Sequence, residues 1–524
     1  MTGFAVRRGP DRAFWTLTAI LLLAALLRLP GTLWELPGPE HQYSYHPDEL
    51  PVLGAASKLD PLRGQLNPRF YNYGTLQLYL LWFPMQLAET PKGFSYGFAV
   101  LVCRLVTAAM GVATVALCWA AGRRLAGPAG AAVAELFAAV APLHAQHSQF
   151  VTVDVPSGMW VAAALLATVS GRPAVAGFLA GLAAATKYTA GAVIAAPLTA
   201  AILERDGAAG KRGALICGAA AAGFLLGCPG AALYPKDFLR DFLFEVHHAR
   251  TGHGLVFLET GPGWLYHILH SLLPGLGWPL LSLAAASLFL TIRSRDRRLW
   301  PVAAFAGVFF LILSMGQVRF ARYTVPLVPA FAMLAGAAAA GTPVRMKLAG
   351  AALALGGAHA ALLNTAFLQP DPRTQAASWI RTNVPAGSSV GLVSPPWFYT
   401  PPLSREFGRL REDMRIRAAQ EVGDYRIMVA RPDWNPALLD ERPDVVIVSS
   451  YESFDRERLG ERDYRKFVDR LTKEYRTAAE FGGDPPVRAF SLVAHLPHDM
   501  QYPSPRIIVY ERADRARRGP GSSR

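Results

Sequence analysis

Charged side chains are scarce in this sequence. Asp, Glu, Lys and Arg together supply 17% of the 524 residues, whereas soluble domains carry roughly 25%. Hydrophobic residues make up 52% of the chain, and they occur in runs of about 15 to 25 rather than at spaced intervals. This composition excludes an ordinary soluble domain and predicts a mainly α-helical, polytopic membrane protein.

Cysteine is rare as well, with four residues in the chain. All four lie inside apolar runs and none forms a metal-type pair, so we expect no disulfide framework. They are Cys103, Cys118, Cys217 and Cys228. The sequence also contains no internal repeat, P-loop, GxGxxG-bearing βαβ unit or zinc-ligand spacing. No motif of a nucleotide or zinc protein is therefore present.

Acidic residues are outnumbered, at 38 against 52 Lys and Arg, which gives a net charge of +14. Nucleic-acid binding is one interpretation of such a basic chain. A membrane protein explains it more simply, because cytoplasmic loops collect Lys and Arg. We therefore expect membrane lipids as partners and no nucleic acid.

About eleven apolar stretches are candidate membrane spans. They are residues 14–31, 98–121, 127–145, 154–170, 173–187, 189–203, 212–230, 264–292, 299–316, 323–340 and 346–367. The first has no small-x-small cleavage site after it, so we expect an uncleaved helix rather than a signal peptide. With the N-terminus inside, nearly every short basic loop lies on the cytoplasmic side, as the positive-inside rule requires.

The stretch 173–203 is too long for one span. A single helix of this length would measure about 46 Å, against a hydrocarbon core of about 30 Å. We expect a break at Thr186-Lys187-Tyr188 that makes two short helices meeting at the outer surface. Without the break, the later basic loops would face outward.

Residues 32–95 form a long first outer loop. The segment "YNYGTLQLYLLWFPMQLAE" within it is apolar and flanked by aromatic residues, which is typical of an interfacial helix. An additional full span is the alternative, and it would invert the topology of the later loops.

The composition changes near residue 369, which ends a predicted transmembrane module of residues 1–368. "DPRTQAASWIRTNV" and "DRERLGERDYRKFVDRLTKEY" are typical of helices, and "SSVGLV", "DVVIVSS" and "PRIIVYER" of short strands. We expect a soluble α/β domain over 369–512, placed outside by eleven spans, and a disordered basic tail over 513–524.

Polar residues collect where the predicted helices reach the outer face. They come from four separate loops and from nearby helix ends. They are His46, Asp48, Glu49, His144, His147, Asp154, Lys187, Arg319, Arg322, Arg28 and Arg104. Such a set suits sugar transfer from a lipid phosphate. Lys and Arg can bind the phosphate at the interface, and one carboxylate can deprotonate the acceptor hydroxyl.

Five segments in order carry a family resemblance: "YHPDEL", "LNPRFYNYGTLQLYL", "HSQFVTVDVPSGMW", "GLAAATKYTAG" and "RFARYTVPLVPA". Together they resemble the GT-C membrane glycosyltransferases. The nearest branch is the bacterial one similar to protein O-mannosyltransferases and the aminoarabinose transferase of lipid A. The likeness extends over most of residues 14–340, and "DPRTQAASWI" resembles the outer domain of some members.

The resemblance implies roles for individual residues. Asp48 matches the catalytic base of the first outer loop, Glu49 its neighbour, and Asp154 the acid of the second loop, and we predict all three as catalytic residues. Lys187 and Arg322 match positions that face the lipid phosphate. Additional candidates are Arg319 and Arg104 for the phosphate, and His46, His147 and Tyr73 elsewhere in the site. The resemblance leaves a divalent metal open as a cofactor, although a second-loop pair of acids is not found.

Structural roles are the alternatives for these residues. Asp48 and Asp154 could cap helices, and Glu49 could be a first-turn acid favoured by the helix dipole. Lys187 and Arg322 could anchor helix ends by snorkelling. Arg319 and Arg322 are three apart and could share a helix face, so either could contact phosphate. Arg104 lies inside an apolar run, where a structural pair is as reasonable as a functional role.

The sequence thus predicts a hexosyl- or pentosyltransferase that uses a polyprenyl-phosphate sugar. We expect it in the inner (cytoplasmic) membrane, with the C-terminal domain outside. The acceptor, whether glycan, lipid or protein, is not specified. A transporter or lipid-linked-glycan flippase is the main alternative, but it should carry polar groups and broken helices near mid-membrane. A non-catalytic scaffold would leave the loop carboxylates unexplained.

Overall fold

The computed structural model describes residues 12–90, 93–404 and 423–514. Helices dominate the chain as far as Asn364. The long ones are α1 (Arg12–Leu26), α4 (Tyr96–Val140), α6 (Asp154–Val169), α7 (Pro173–Thr186), α8 (Ala195–Leu203), α9 (Ala209–Gly227), α11 (Pro235–Thr251), α13 (Leu273–Ser294), α14 (Trp300–Ser314), α15 (Val328–Ala339) and α16 (Pro343–Asn364). Shorter helices between them are α2 (Glu49–Ala56), α3 (Leu76–Met85), α5 (Pro142–His147), α10 (Gly230–Leu233) and α12 (Gly263–Tyr266). A two-stranded hairpin, β1 (Glu89–Thr90) and β2 (Gly93–Phe94), precedes α4.

Each of the eleven predicted stretches is mainly helical, so the predicted fold class is confirmed. Within the described residues, five helical segments are long and apolar enough to cross a membrane. They are Ala13–Thr32, Tyr96–Val140, Ala209–Gly227, Gly263–Ser294 and Pro343–Asn383. The number of crossings in a bilayer stays a prediction.

Helix α4 contains two of the predicted spans. The backbone leaves helical geometry at Ala126 and at Gly127, whose φ of 68° is readily adopted by glycine. Pro128 then begins the second half, in the position where a missing N–H costs nothing. The break therefore falls where the sequence predicted a loop between 121 and 127.

The predicted break at Lys187 is confirmed. Helix α7 ends at Thr186, Lys187 is extended with φ −146° and ψ 119°, and a 3₁₀ helix covers Tyr188–Ile194 before α8 begins. The Tyr188 hydroxyl donates to the carbonyl of Tyr73 at 3.0 Å. The break thus places Lys187 beside the first outer loop.

Helix α3 forms the segment for which an additional span was the alternative. It has ten residues, or about 15 Å of helix, which is too short to cross a bilayer. Leu78, Leu81 and Trp82 pack against Val100 and Cys103 of α4. The length favours the interfacial helix over the full span.

The C-terminal part is an α/β domain. Its five strands, β3 (Ser389–Leu392), β4 (Arg426–Val429), β5 (Val445–Ser449), β6 (Tyr475–Phe481) and β7 (Ile507–Arg512), form a sheet in the order β4-β3-β5-β7-β6. The pairs β3–β4 and β3–β5 are parallel, and β5–β7 and β6–β7 are antiparallel. Its helices are α17 (Pro372–Asn383), α18 (Ala437–Asp440), α19 (Ser450–Leu459), α20 (Arg462–Glu474) and α21 (Arg488–Ser491).

Most elements of this domain follow the sequence prediction. Helix α17 and strands β3, β5 and β7 were expected, whereas β4 and β6 were not. The single charged helix is instead two, because Gly460 has φ 64° and ends α19 before α20 begins. The exact domain limits stay a prediction, and residues 515–524 of the predicted tail lie outside the described residues.

The α/β domain packs directly on the helical part. Leu496 and Met500 lie in one apolar cluster with Leu143 of α5 and with Ala321 and Val325. The latter two belong to a 3₁₀ helix, Ala321–Leu327, that precedes α15. This packing brings a loop of the α/β domain to the ends of the membrane helices.

A charged cluster at the junction of the helices and the α/β domain

Arg322 lies at the centre of a cluster of opposite charges. Its Nη2 is 3.0 Å from Oδ2 of Asp48, and its Nε is 3.6 Å from Oδ2 of Asp154. Its Nη1 is 3.6 Å from Oδ2 of Asp499. We call Asp48, Asp154, Lys187, Arg322 and Asp499 the Arg322 cluster. It joins the first outer loop, the ends of two membrane helices and the α/β domain.

Lys187 enters the cluster through Asp154. Its Nζ is 2.5 Å from Oδ1 of Asp154 and lies 3.8 Å from the ring centre of Tyr323. Asp154 is the first residue of α6 and Lys187 follows the last residue of α7. The break at Lys187 therefore supplies a cation to the same end of the helix pair as the carboxylate.

Exposure distinguishes Asp48 from the other carboxylates. Its side chain is 24% exposed, against 3% for Asp154 and 1% for Asp499. Asp48 precedes helix α2 but its side chain makes no capping hydrogen bond. Its carboxylate instead faces Arg322, so the capping alternative is not what the structure shows. Asp48 is the carboxylate of the cluster that a substrate can reach.

Burial and ion pairing act in opposite directions in this cluster. Burial raises the pKa of the Asp48 carboxyl, and the Arg322 guanidinium opposes that rise. Burial also acts to lower the pKa of Arg322, but its neighbours, Asp48 first and then Tyr502 and Asp499, outweigh it and raise that pKa. Arg322 therefore stays charged, while Asp48 is a stronger base than an exposed aspartate.

Two histidines and a tyrosine of the predicted site border the cluster. The Asp48 N–H donates to Nδ1 of His46 at 3.2 Å, and the His46 ring lies 4.4 Å from that of Tyr502. Nε2 of His147 is 4.0 Å from Oδ2 of Asp499, and burial lowers the pKa of this histidine to about 4. Burial, followed by the charge of Asp48, raises the pKa of the Tyr73 hydroxyl. His46 and Tyr73 are thus close to Asp48, and His147 is close to Asp499.

Glu49 and Arg104, predicted as a catalytic residue and a phosphate ligand, pair with each other and not with the Arg322 cluster. Arg104 Nε and Nη2 donate to the two Glu49 carboxylate oxygens, both at 2.8 Å, and neither side chain is exposed. Glu49 also accepts from the Val151 N–H at 2.9 Å and from Ser44. The pair instead fixes the loop that carries Asp48 to helix α4.

Arg319 also lies outside the cluster. It donates to the carbonyls of Gly316 and Gly261 at 3.0 and 2.7 Å and to Oγ1 of Thr260 at 3.0 Å. Its guanidinium lies 5.7 Å from the ring centre of Tyr266. Arg319 therefore fixes the loop before α12, and Arg322 is the arginine that meets the carboxylates.

Two other residues of the predicted outer-face set, Arg28 and His144, contact each other. Arg28 Nη2 lies 2.9 Å from Nδ1 of His144 and also donates to the carbonyl of Ala138 at 2.9 Å.

Within the ranges that the structure describes, no three His, Cys, Asp or Glu residues are arranged to hold a metal ion.

Sequence reasoning missed two members of the site, Asp499 and Tyr502. The Tyr502 hydroxyl lies 3.4 Å from Nη1 of Arg322. Both residues belong to the segment "HLPHDMQYPSP", whose only signal is a group of polar residues between prolines. Their role depends on docking of the α/β domain, which no local pattern reveals.

Comparisons with known proteins agree with this architecture. A family model described as dolichyl-phosphate-mannose-protein mannosyltransferase matches residues 77–229. That range includes Asp154 and Lys187 but not Asp48 or Arg322. No curated protein matches the sequence.

Two crystal structures of ArnT from Cupriavidus metallidurans are similar along nearly the whole chain. The structure bound to undecaprenyl phosphate has a TM-score of 0.51 and 14% identity, and covers 95% of this chain and 98% of that chain. The apo structure has a TM-score of 0.50 and 15% identity, with the same coverage. At this identity the likeness establishes the fold. The chain therefore has the fold of ArnT, which agrees with the fold that the resemblance of its sequence motifs implied.

Proposed function

We propose that the protein is a glycosyltransferase that moves a sugar from a polyprenyl phosphate to an acceptor hydroxyl. One observation carries the proposal: a single guanidinium, that of Arg322, joins an accessible carboxylate to a buried lysine–carboxylate pair at the ends of membrane helices. A base and a phosphate site are thereby adjacent. The ligand of the ArnT structure, undecaprenyl phosphate, supports a lipid phosphate as the donor group.

In the proposed reaction, Asp48 removes the proton of the acceptor hydroxyl. The acceptor oxygen forms a bond to the anomeric carbon while the bond from that carbon to the phosphate oxygen breaks. The electron pair of the broken bond stays on the phosphate, and the proton stays on Asp48. Lys187 and Arg322 bind the phosphate oxygens, where the new charge develops.

The charges of the cluster suit this exchange. The donor is a phosphodiester with one negative charge, and the product polyprenyl phosphate is a monoester that carries nearly two. As Asp48 gains a proton it loses its hold on Arg322, which lies 3.0 Å away. The same guanidinium then becomes available to the phosphate. The total charge around Arg322 is unchanged by the reaction, so little reorganisation of the surrounding side chains is required.

Asp154 has a supporting role in this scheme. Its two oxygens face Lys187 and Arg322, so it fixes both cations on one side of the site. It is 3% exposed, which leaves little access for an acceptor. Asp48 is therefore the general base and Asp154 the group that orients the phosphate-binding cations.

The orientation in the membrane is part of the proposal. The positive-inside rule, applied to the basic loops, places the cluster and the α/β domain on the extracytoplasmic side of the inner membrane. The transferred group is a hexose, pentose or amino sugar, and the acceptor is a hydroxyl of a glycan, lipid or protein. A transporter would carry its polar groups near mid-membrane, whereas the Arg322 cluster lies at helix ends.

Transfer by an Asp48→Asn variant tests the assignment. We expect labelled polyprenyl-phosphate sugars to be consumed about 10² to 10⁴ times more slowly, the usual contribution of a general base. The matched control is Glu40→Gln, which alters an exposed acid of the same loop paired with Arg381. Wild-type transfer rates in the Asp48 variant would overturn its role as the base. Movement of labelled substrate without cleavage would indicate a transporter.

A further inference from the structure

The α/β domain reaches the charged cluster through Asp499. Its side chain is 1% exposed, and its oxygens accept the backbone N–H groups of Ala321 at 3.2 Å and Arg322 at 2.7 Å. Ala321 and Arg322 begin a 3₁₀ helix, whose first N–H groups have no partner within the helix. Asp499 therefore determines where Arg322 begins its turn of helix.

Asp499 also acts on the guanidinium. Its Oδ2 is 3.6 Å from Nη1 of Arg322, and the Tyr502 hydroxyl is 3.4 Å from the same nitrogen. Backbone and side chain of Arg322 are thus held by one short segment of the α/β domain. Asp499 makes charge-assisted contacts to both the backbone and the guanidinium of Arg322, whereas capping the helix requires only the backbone contact.

The segment that carries Asp499 is itself fixed from both sides. Gln146 of α5 donates to the carbonyl of Met500 at 2.8 Å. Arg373 of the α/β domain donates to the carbonyl of Tyr502 at 2.6 Å and pairs with Asp371, with neither charged side chain exposed. A rigid connection therefore runs from the core of the domain to Arg322.

We propose that the α/β domain is a structural part of the donor site, with Asp499 as the positioning residue of Arg322. This inference rests on the proposed function, because it takes Arg322 to bind the lipid phosphate. When Asp48 takes up the acceptor proton and releases Arg322, the buried Asp499 keeps the guanidinium in place. The domain then has a role in donor binding besides any role in choosing the acceptor.

Electrostatics and positioning predict opposite results for loss of the Asp499 charge. Removing a carboxylate near an anion site would by itself strengthen phosphate binding. Loss of the positioning contacts would weaken phosphate binding. Asn replaces one carboxylate oxygen with an N–H₂ group, which cannot accept the hydrogen bonds that Asp499 accepts. We expect positioning to dominate, since Asp499 contacts the backbone N–H and the guanidinium of Arg322 and also the N–H of Ala321.

The test measures binding of undecaprenyl phosphate and of undecaprenol to the full chain in lipid nanodiscs. We expect Asp499→Asn to weaken binding of the phosphate about tenfold, as for a lost buried charged hydrogen bond, and to leave binding of the alcohol unchanged. The control is Asp455→Asn, at an acid of the same domain that pairs with His498 and Arg458 and not with Arg322. In transfer assays, Asp499→Asn should raise the KM for the donor more than it lowers kcat.

Three results would overturn the inference. They are unchanged or tighter phosphate binding by Asp499→Asn, an equal loss of affinity for the alcohol in that variant, and an equal loss of phosphate affinity in Asp455→Asn. If Asp499→Asn does not fold, Tyr502→Phe decides, because it removes the hydroxyl from Nη1 of Arg322 and keeps the ring beside His46. Wild-type phosphate affinity in Tyr502→Phe would then overturn the inference. Binding without sugar transfer would instead contradict the proposed function alone.

Discussion

The buried pair of Glu49 and Arg104 permits a test that separates stability from catalysis. Glu49→Gln keeps the shape of the side chain but removes its charge. The Arg104 guanidinium, which is not exposed and contacts both carboxylate oxygens at 2.8 Å, would then be a buried charge without a counter-ion. Breaking such a pair by changing one partner costs about 3–5 kcal/mol.

The control is Glu40→Gln, in the same loop. Glu40 pairs with Arg381, and their side chains are 60% and 39% exposed. Exposed pairs contribute about 0–1 kcal/mol, so this variant should unfold like the wild type. The double variant Glu49→Gln with Arg104→Gln should recover most of the lost stability, because no unpaired charge remains.

Thermal unfolding in detergent measures the stability, and sugar transfer per folded molecule measures the activity. We expect Glu49→Gln to unfold at a clearly lower temperature and to retain most of its activity while folded. A Glu49→Gln protein as stable as the wild type but inactive would refute this reasoning. Glu49 would then take part in the reaction, in line with its prediction as a catalytic residue.

Two other predictions concern the arginines and the pH. Arg322→Ala should lower the affinity for polyprenyl phosphate at least about tenfold; Arg319→Ala should not, because its donors serve Gly316, Thr260 and Gly261. Equal losses in binding assays would contradict this distinction. Transfer should fall as the pH drops through the pKa of Asp48. Burial holds this pKa above its ordinary value of 3.8, so Asp48 is protonated at a higher pH than a free aspartate. Since Arg322 opposes that rise, Arg322→Ala should move the acid limb of kcat/KM to still higher pH, and a shift to lower pH would contradict the assignment.

The sequence predicted the parts of the fold that depend on local pattern. The lengths of the apolar runs located the helices. The break at Lys187 was predicted because the stretch 173–203, as one helix, would be longer than the thickness of the bilayer core. The sequence patterns did not predict the direction of a side chain where that direction depends on the residue at which a helix begins. Asp48 and Glu49 are adjacent, but neighbours at a helix start do not face the same way, so one meets Arg322 and the other Arg104.

The two arginines of "RFARY" show the same effect. Residues three apart share a face only within a helix. Phe320 is extended, with ψ 141°, and the 3₁₀ helix begins at Ala321, so Arg319 and Arg322 diverge. Asp499 could not be predicted at all, because its contact spans 177 residues of sequence and depends on docking between two separately packed parts.

The excess of carboxylates in the cluster bears on when the donor is cleaved. Three carboxylates surround two cations, so Arg322 is shared with Asp48 until Asp48 takes up a proton. In the proposed reaction that proton comes from the acceptor. A donor bound without an acceptor therefore meets a guanidinium whose charge is partly neutralised, and its phosphate is a poor leaving group. Arrival of the acceptor removes this restraint, which ties cleavage of the sugar–phosphate bond to the presence of the hydroxyl that receives the sugar.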